Sequence, residues 1–189
     1  GHQTTIAAEV RDFDVSLFWE SKDAKRHDRY SHLAMAAAKT AIKDGALDPA
    51  TIADPTRFGV LVGSGVGGLS TVEQSCDILF HKGPKRITPF LLPSIIGNTA
   101  GSMIAMQMGA MGPNFGIVSA CSTGTHAIGE ALKYLQRGEC DVMLAGGSEA
   151  TITPLGLAGF NRMRAMGTTS NDSPQTASRP FDADRAGFI

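Results

Sequence analysis

Cys121 is the residue of this chain best placed for covalent chemistry. It lies in "GIVSACSTGTHAIGEALKYL" (116–135), between a short apolar run and a Gly/Ser/Thr-rich turn that opens onto a helical pattern. Where a strand gives way to a helix, the unpaired N–H groups of the first turn and the positive end of the helix dipole point at the junction. That environment favours thiolate over thiol, and thiolate is the nucleophilic form. Ser122, Thr123 and Gly124 keep the turn small, so a substrate carbonyl can approach while backbone amides stabilise a developing oxyanion. The competing reading is a small buried cysteine that packs like an alanine, and position alone does not choose between them. Cys76 and Cys140 lack this context and read as packing residues. The three cysteines form no CxxC pair, have no histidine at metal spacing and are odd in number, which points to free thiols in a reducing compartment.

The elements that must position Cys121 follow from apolar spacing. Leu33, Ala34, Ala37, Ala38, Ala41 and Ile42 predict a helix over 30–43, stopped at Asp44-Gly45. "RFGVLVGSG" (57–65) reads as a buried strand ending in glycines, 70–82 as a helix, and 95–111 as a further helix stopped by Gly112-Pro113. "NFGIVSA" (114–120) is the next strand expected. Ala127, Ile128, Ala131, Leu132 and Leu135 mark a helix face, and Gly138 ends it before the strand "DVMLAGG" (141–147). Strands alternating with helices define an α/β fold with a mostly parallel sheet. The polar stretch 167–184 is long enough to be a functional surface loop.

Composition narrows the function classes. The chain has 189 residues, 42% hydrophobic, and a formal net charge of −1, enough for one sizeable core and too little basic excess for a nucleic-acid binder. Residues 87–129 contain no Asp, Glu, Lys or Arg, although charged residues are 19% of the chain. Pro89, Pro93, Asn98, Gln107, Pro113 and Asn114 interrupt that run, so it is no membrane span. A buried element or a subunit interface accounts for it better. Within it Gly97, Gly101, Ala105 and Gly109 recur every four residues, a small-residue face that lets another backbone come close. No signal peptide is visible, but the chain starts at Gly1 rather than Met, which leaves a lost leader and the compartment open.

Six motifs then agree in order and spacing: "GVLVGSGVGGL", "RITPFLLPSIIGN", "SACSTG", "DVMLAGGSEA", "PLGLAGFNRMRAM" and "NDSPQTASRPFDADRAGF". Together, over about residues 20–189, they resemble the elongating β-ketoacyl-acyl carrier protein synthases, the KAS I/KAS II group of thiolase-fold condensing enzymes, KAS II above all. Initiating synthases, thiolases and plant polyketide synthases differ around the cysteine and lack "SRPFD". The resemblance implies a thiolase-like α/β/α/β/α layered fold, of which 1–189 would be a single partial domain, the N-terminal half. It also implies that Cys121 takes an acyl chain as a thioester. A malonyl-carrier protein then loses CO2 and its carbanion attacks, giving a 3-ketoacyl product two carbons longer in fatty acid elongation.

By the same resemblance Val66 and Leu91 line the acyl pocket, Leu91 from the second subunit of a homodimer, and Phe160 and Phe188 stand beside the malonyl end. Lys22, Lys25, Arg26, Lys85, Arg86 and Arg164 match basic positions near the pocket mouth, where an acidic carrier protein would dock. The bland alternatives are core packing for the first four residues and a solvated face for the basic ones. No cofactor of the protein's own is implied, since phosphopantetheine arrives on the carrier. Neither nucleic acid nor membrane is an expected partner. The implied home is bacterial cytoplasm or plastid stroma, with the mitochondrion a further option.

Two departures stand out. The family drives decarboxylation with two histidines and a lysine from its C-terminal half, and none of His2, His27, His32, His81 or His126 sits in a matching motif. This chain is therefore expected to be the acyl-accepting half of a synthase and inactive alone. Ala186 stands where the family usually has Asp, which calls the local hydrogen bonding into question. A polyketide ketosynthase and a non-catalytic chain-length-controlling partner are the alternatives. Such partners typically replace the cysteine that is present here.

Overall fold

The computed structural model describes residues 1–189, whose contacts divide into two compact units: Asp14–Ala150, and Gly1–Phe13 together with Thr151–Ile189. In the first unit the elements run α1 (Ser21–Ala24), α2 (Arg29–Asp44), β1 (Phe58–Gly63), α3 (Leu69–Lys82), α4 (Leu91–Ile95), α5 (Thr99–Met108), α6 (Thr123–Gln136) and β2 (Val142–Gly147). The two strands pair in parallel, from Phe58 opposite Val142 to Gly63 opposite Gly147. β1 is buried along its whole length, as a continuous apolar run in a parallel sheet should be. Its side chains alternate between two packings. Val60 and Val62 join Tyr30, Ala34, Met35 and Ala38 of α2 and Ala100, Ile104 and Ala105 of α5, whereas Leu61 joins Ala127 and Ala131 of α6.

A buried carboxylate ties two helix starts together. Asp28, 3% exposed, caps α2 by accepting from the Tyr30 N–H at 3.3 Å through Oδ1. Its Oδ2 accepts from the Ser70 hydroxyl (2.8 Å), the Thr71 N–H (2.9 Å) and the Thr71 hydroxyl (2.7 Å) in the first turn of α3. Of the expected small-residue helix face only Gly101, against the Val62 backbone, and the buried Ala105 lie within α5; Gly97 approaches the Ser64 backbone from the turn before that helix. Gly109 does something else, closing α5 in the left-handed region at φ +68°.

Three expectations need correction. The helix expected over 95–111 spans only Thr99–Met108, set apart from α4 because Ile96 is extended (ψ 133°) and its carbonyl accepts from the Tyr30 hydroxyl at 2.5 Å. The strand expected at 114–120 is reduced to a parallel bridge between Val60 and Asn114, with the Val60 N–H on the Pro113 carbonyl at 2.9 Å. Beyond it Gly116 sits against Asn98 and the chain turns into the approach to α6. Cys76 is exposed rather than packed; Ser75 is the one buried residue of α3. Cys140 is buried as expected, and burial pushes its thiol pKa up.

In the second unit, α7 (Pro154–Arg162) starts with Pro154 behind the Thr153 cap, whose hydroxyl oxygen accepts from the Gly156 N–H at 3.1 Å. Buried Thr4 donates its N–H to Asn161 Oδ1 (3.0 Å) and its hydroxyl to the Gly167 carbonyl (2.7 Å). The stretch 167–184 is irregular apart from a short 3-10 turn at Pro174–Thr176. No helix of the chain is long and apolar enough to cross a membrane.

Candidate active site

Cys121 is exposed and stands in a 3-10 turn, Ala120–Ser122, that runs straight into α6. The preceding residue, Ala120, has φ +52°, a left-handed conformation that costs a residue with a Cβ about 1–3 kcal/mol and persists only when its surroundings enforce it. The surroundings here are specific. The buried Thr123 hydroxyl accepts from the Ser119 N–H at 2.9 Å and donates to the Ala120 carbonyl at 2.7 Å. The Ser122 N–H closes on the Ser119 carbonyl at 3.1 Å, and His126 Nδ1 lies 2.6 Å from the Ser119 hydroxyl. Ser122, the N-cap residue, makes no side-chain bond to the first-turn amides of α6. The Thr123 N–H donates to the Ala120 carbonyl, and the amides that follow it in the first turn of α6 are left without a side-chain cap, as a helix start that stabilises negative charge requires.

Glycines let this turn sit against the sheet. A Cβ on Gly147 would lie 3.0 Å from the Gly124 Cα, and one on Gly63 would collide with the Ile117 carbonyl and come within 2.6 Å of the Thr123 methyl. The loop after β1 borders the same turn, since a Cβ on Gly65 would be 3.4 Å from the Ala120 carbonyl. Glu149, just past β2, grips that loop: Oε1 accepts from the Ser64 hydroxyl (3.0 Å), and Oε2 from the N–H groups of Gly65 (2.9 Å) and Val66 (3.2 Å). Gly67, at φ +77°, then turns the chain so that the Gly68 N–H reaches the Ile95 carbonyl at 3.2 Å. The segments carrying Cys121, Val66 and Leu91 are thereby brought together. Val66 is 56% exposed and Leu91, at the start of α4, is half-buried. From sequence Thr123 is only a small turn residue and His126 only a histidine outside any motif, and neither Ser119 nor Glu149 stands out.

Of the basic residues, Lys22, Lys25, Lys85 and Arg86 are exposed. Arg26 lies over the Phe90 ring at 4.8 Å, pairs with Asp23 at 3.6 Å, and its carbonyl accepts from the Ser94 hydroxyl at 2.6 Å. The α1 turn is thus fastened to α4. Arg164, Phe160 and Phe188 belong to the second unit. There Arg164 is exposed, and the two phenylalanine rings meet edge to face with centroids 5.6 Å apart. Ala186 does not empty its neighbourhood of hydrogen bonds. The Phe188 N–H donates to the Ala165 carbonyl (2.9 Å), the Gly167 N–H to the Phe188 carbonyl (2.8 Å), and Arg185 to the Asp182 carbonyl (2.7 Å).

Solved structures share this architecture. A β-ketoacyl synthase from Burkholderia phymatum superposes with a TM-score of 0.87 at 27% identity, covering 100% of this chain and 46% of that one. The ishigamide ketosynthase/chain length factor superposes at 0.80 with 26% identity, over 96% of this chain and 43% of that one. The fold is the thiolase-like α/β fold of ketosynthases. Residues 1–189 match the family described as β-ketoacyl synthase, N-terminal domain, and the chain belongs to that family. It is 46% identical to 3-oxoacyl-[acyl-carrier-protein] synthase 2 of Synechocystis and 44% identical to the Staphylococcus aureus protein of the same name, in each case over 97% of this chain and 44% of the relative. The chain thus spans somewhat under half the length of these relatives.

Proposed function

We propose that this chain is the acyl-accepting half of an elongating 3-oxoacyl-acyl carrier protein synthase. The carrying observation is the exposed Cys121 on a positive-φ turn at the head of α6. Its thiolate attacks the thioester carbonyl of an acyl-carrier protein, with the oxyanion held by first-turn amides. The S–C bond to phosphopantetheine breaks, and that thiol leaves with the proton. In the second half-reaction malonyl-carrier protein loses CO2, its carbanion attacks the Cys121 thioester, and Cys121 departs as thiolate. Decarboxylation falls to two histidines and a lysine from a C-terminal half.

The remaining assignments follow from this reading. Val66, on the loop beside the cysteine turn, lines the acyl chain's path, and Leu91 reaches that path from the second subunit of a homodimer; Phe160 and Phe188 flank the malonyl group. Lys22, Lys25, Arg26, Lys85, Arg86 and Arg164 attract the acidic carrier, which brings the phosphopantetheine, so no further cofactor is needed. The bacterial source of the relatives favours a bacterial cytoplasm over plastid or mitochondrion. Likeness to the ishigamide ketosynthase/chain length factor favours a second reading, a polyketide ketosynthase. The cysteine argues against a purely chain-length-controlling partner.

The test is to expose the full chain to long-chain acyl-carrier protein and map the adduct by peptide mass spectrometry. Acyl on Cys121, absent from Cys121→Ala, is the expected result, and its absence from wild type would overturn the proposal. Adding malonyl-carrier protein to the longer synthase that supplies the C-terminal half separates the two readings: a single 3-keto product marks elongation, whereas several unreduced keto groups mark the polyketide route.

A further inference from the structure

We propose that Thr123 is a positioning residue for the Cys121 thiol, acting through the turn rather than on the substrate; this rests on Cys121 being the acyl-carrying nucleophile. The Thr123 side chain is 4% exposed and faces two ways. Its methyl lies against Gly63 of β1, so closely that a Cβ there would be 2.6 Å away. Its hydroxyl spends its only proton on the Ala120 carbonyl (2.7 Å) and a lone pair on the Ser119 N–H (2.9 Å). Those two groups bracket the residues at which the chain reverses, Ser119 at φ −146° and Ala120 at φ +52°.

Left-handed φ is unfavourable for a residue with a Cβ, so Ala120 needs something to hold it there. Relaxing Ala120 to negative φ rotates the following peptide and so re-aims the Cys121 Cα–Cβ bond relative to α6. The Thr123 hydroxyl pins both sides of that rotation, and the methyl fixes the hydroxyl to the sheet. Removing the hydroxyl alone takes this partner from the part-buried Ser119 N–H and from the Ala120 carbonyl, which keeps only the Thr123 N–H, and frees the turn. The Ser119–His126 contact still anchors the entry to the turn, so the element as a whole survives.

The hydroxyl can be separated from the shape. Thr123→Val keeps the shape and deletes the hydroxyl; Thr123→Ser keeps the hydroxyl and deletes the methyl. In the full chain, alkylation of Cys121 by iodoacetamide, in which an S–C bond forms and iodide leaves, is timed by mass spectrometry with exposed Cys76 as internal reference. Thermal midpoints and uptake of acyl from acyl-carrier protein are followed in parallel. Thr123→Ser is expected to stay within about twofold of wild type, while Thr123→Val slows Cys121 about tenfold or more, as misplacing a reacting group by about 1 Å does, with Cys76 unchanged. Wild-type rates in a folded Thr123→Val, or equal slowing in both variants, overturn the proposal. If Thr123→Val does not fold, Thr123→Ala against Thr123→Ser carries the same contrast. Unfolding of both hydroxyl-free variants beside a folded Thr123→Ser would make the hydroxyl a folding requirement and likewise overturn the claim. Failure of wild-type Cys121 to take acyl refutes the nucleophile reading instead, and the alkylation contrast remains readable.

Discussion

Replacing Asp28 by alanine should be among the most destabilising single changes in this chain that touch neither the sheet nor the cysteine turn. The carboxylate is 3% exposed and accepts from four donors at the starts of α2 and α3. The two hydroxyls, of Ser70 and Thr71, can rotate toward other acceptors and recover part of their loss. The N–H groups of Thr71 and Tyr30 cannot, because each is fixed in a helix's first turn. A hydrogen bond to a charged group is worth about 1.5–3 kcal/mol, and the 3.3 Å Tyr30 contact, a long bond, is scored nearer the roughly 1 kcal/mol of an ordinary cap. Together with the hydroxyl losses this gives about 3–5 kcal/mol. For a chain of this length that corresponds to a fall in Tm of roughly 6–20 °C. Asp28→Asn keeps an acceptor toward α3 but turns an amide N–H2 toward the Tyr30 N–H, or the reverse, and should cost about half as much. Urea unfolding of the three proteins, read by far-UV circular dichroism, measures the differences. A loss below about 1 kcal/mol in Asp28→Ala would refute the view that one carboxylate holds both helix starts.

Gly147→Ala must push its new methyl to within 3.0 Å of the Gly124 Cα, so it should destabilise by about 1–3 kcal/mol and slow Cys121 alkylation, whereas Gly129→Ala, with open space around its Cβ, should stabilise α6 by about 0.5–1 kcal/mol. Urea midpoints separate the pair. Arg57 donates to Asp141 through Nε and Nη2, both at 2.6 Å, and this pairing holds the Asp141 pKa below the ordinary carboxylate range. A lowered folded-state pKa contributes stability above the unfolded pKa of about 4 and loses it as pH falls through the folded value. Arg57→Gln is therefore expected to be less stable than wild type at neutral pH and to converge with it in strong acid. A difference in urea midpoint that persists unchanged at pH 2 would contradict this.

Elements with a clear period were legible in the sequence. The apolar spacing through Leu33, Ala37 and Ala41 placed α2, and the runs "FGVLVG" and "VMLAGG" placed the two paired strands. The failures share a cause: they depend on what lies alongside. "NFGIVSA" has a strand's composition, but its pairing with β1 stops at Asn114, which no local pattern announces. Ile96 continues an apolar helical run and leaves the helix because a tyrosine 66 positions earlier takes its carbonyl. The nucleophile candidate itself was readable, since a lone cysteine before a Gly/Ser/Thr turn and a helix face is a local signature. The groups that hold its turn were not. Thr123 and Ser119 look like ordinary small turn residues, and the partners of Glu149 are more than eighty residues away.

That last separation has a consequence for how the protein is made. Ser64, Gly65 and Val66 leave the ribosome long before Glu149 is added, and β1 before its partner β2, yet the loop takes its shape from the Glu149 carboxylate and the strand its ladder from residues 142–147. Synthesis at about 5–20 residues per second makes that an interval of several seconds. Throughout it, an apolar strand with a free edge waits for its neighbour while the helices between them emerge. The loop that walls the cysteine turn is translated before most of this unit and is among the last parts able to set.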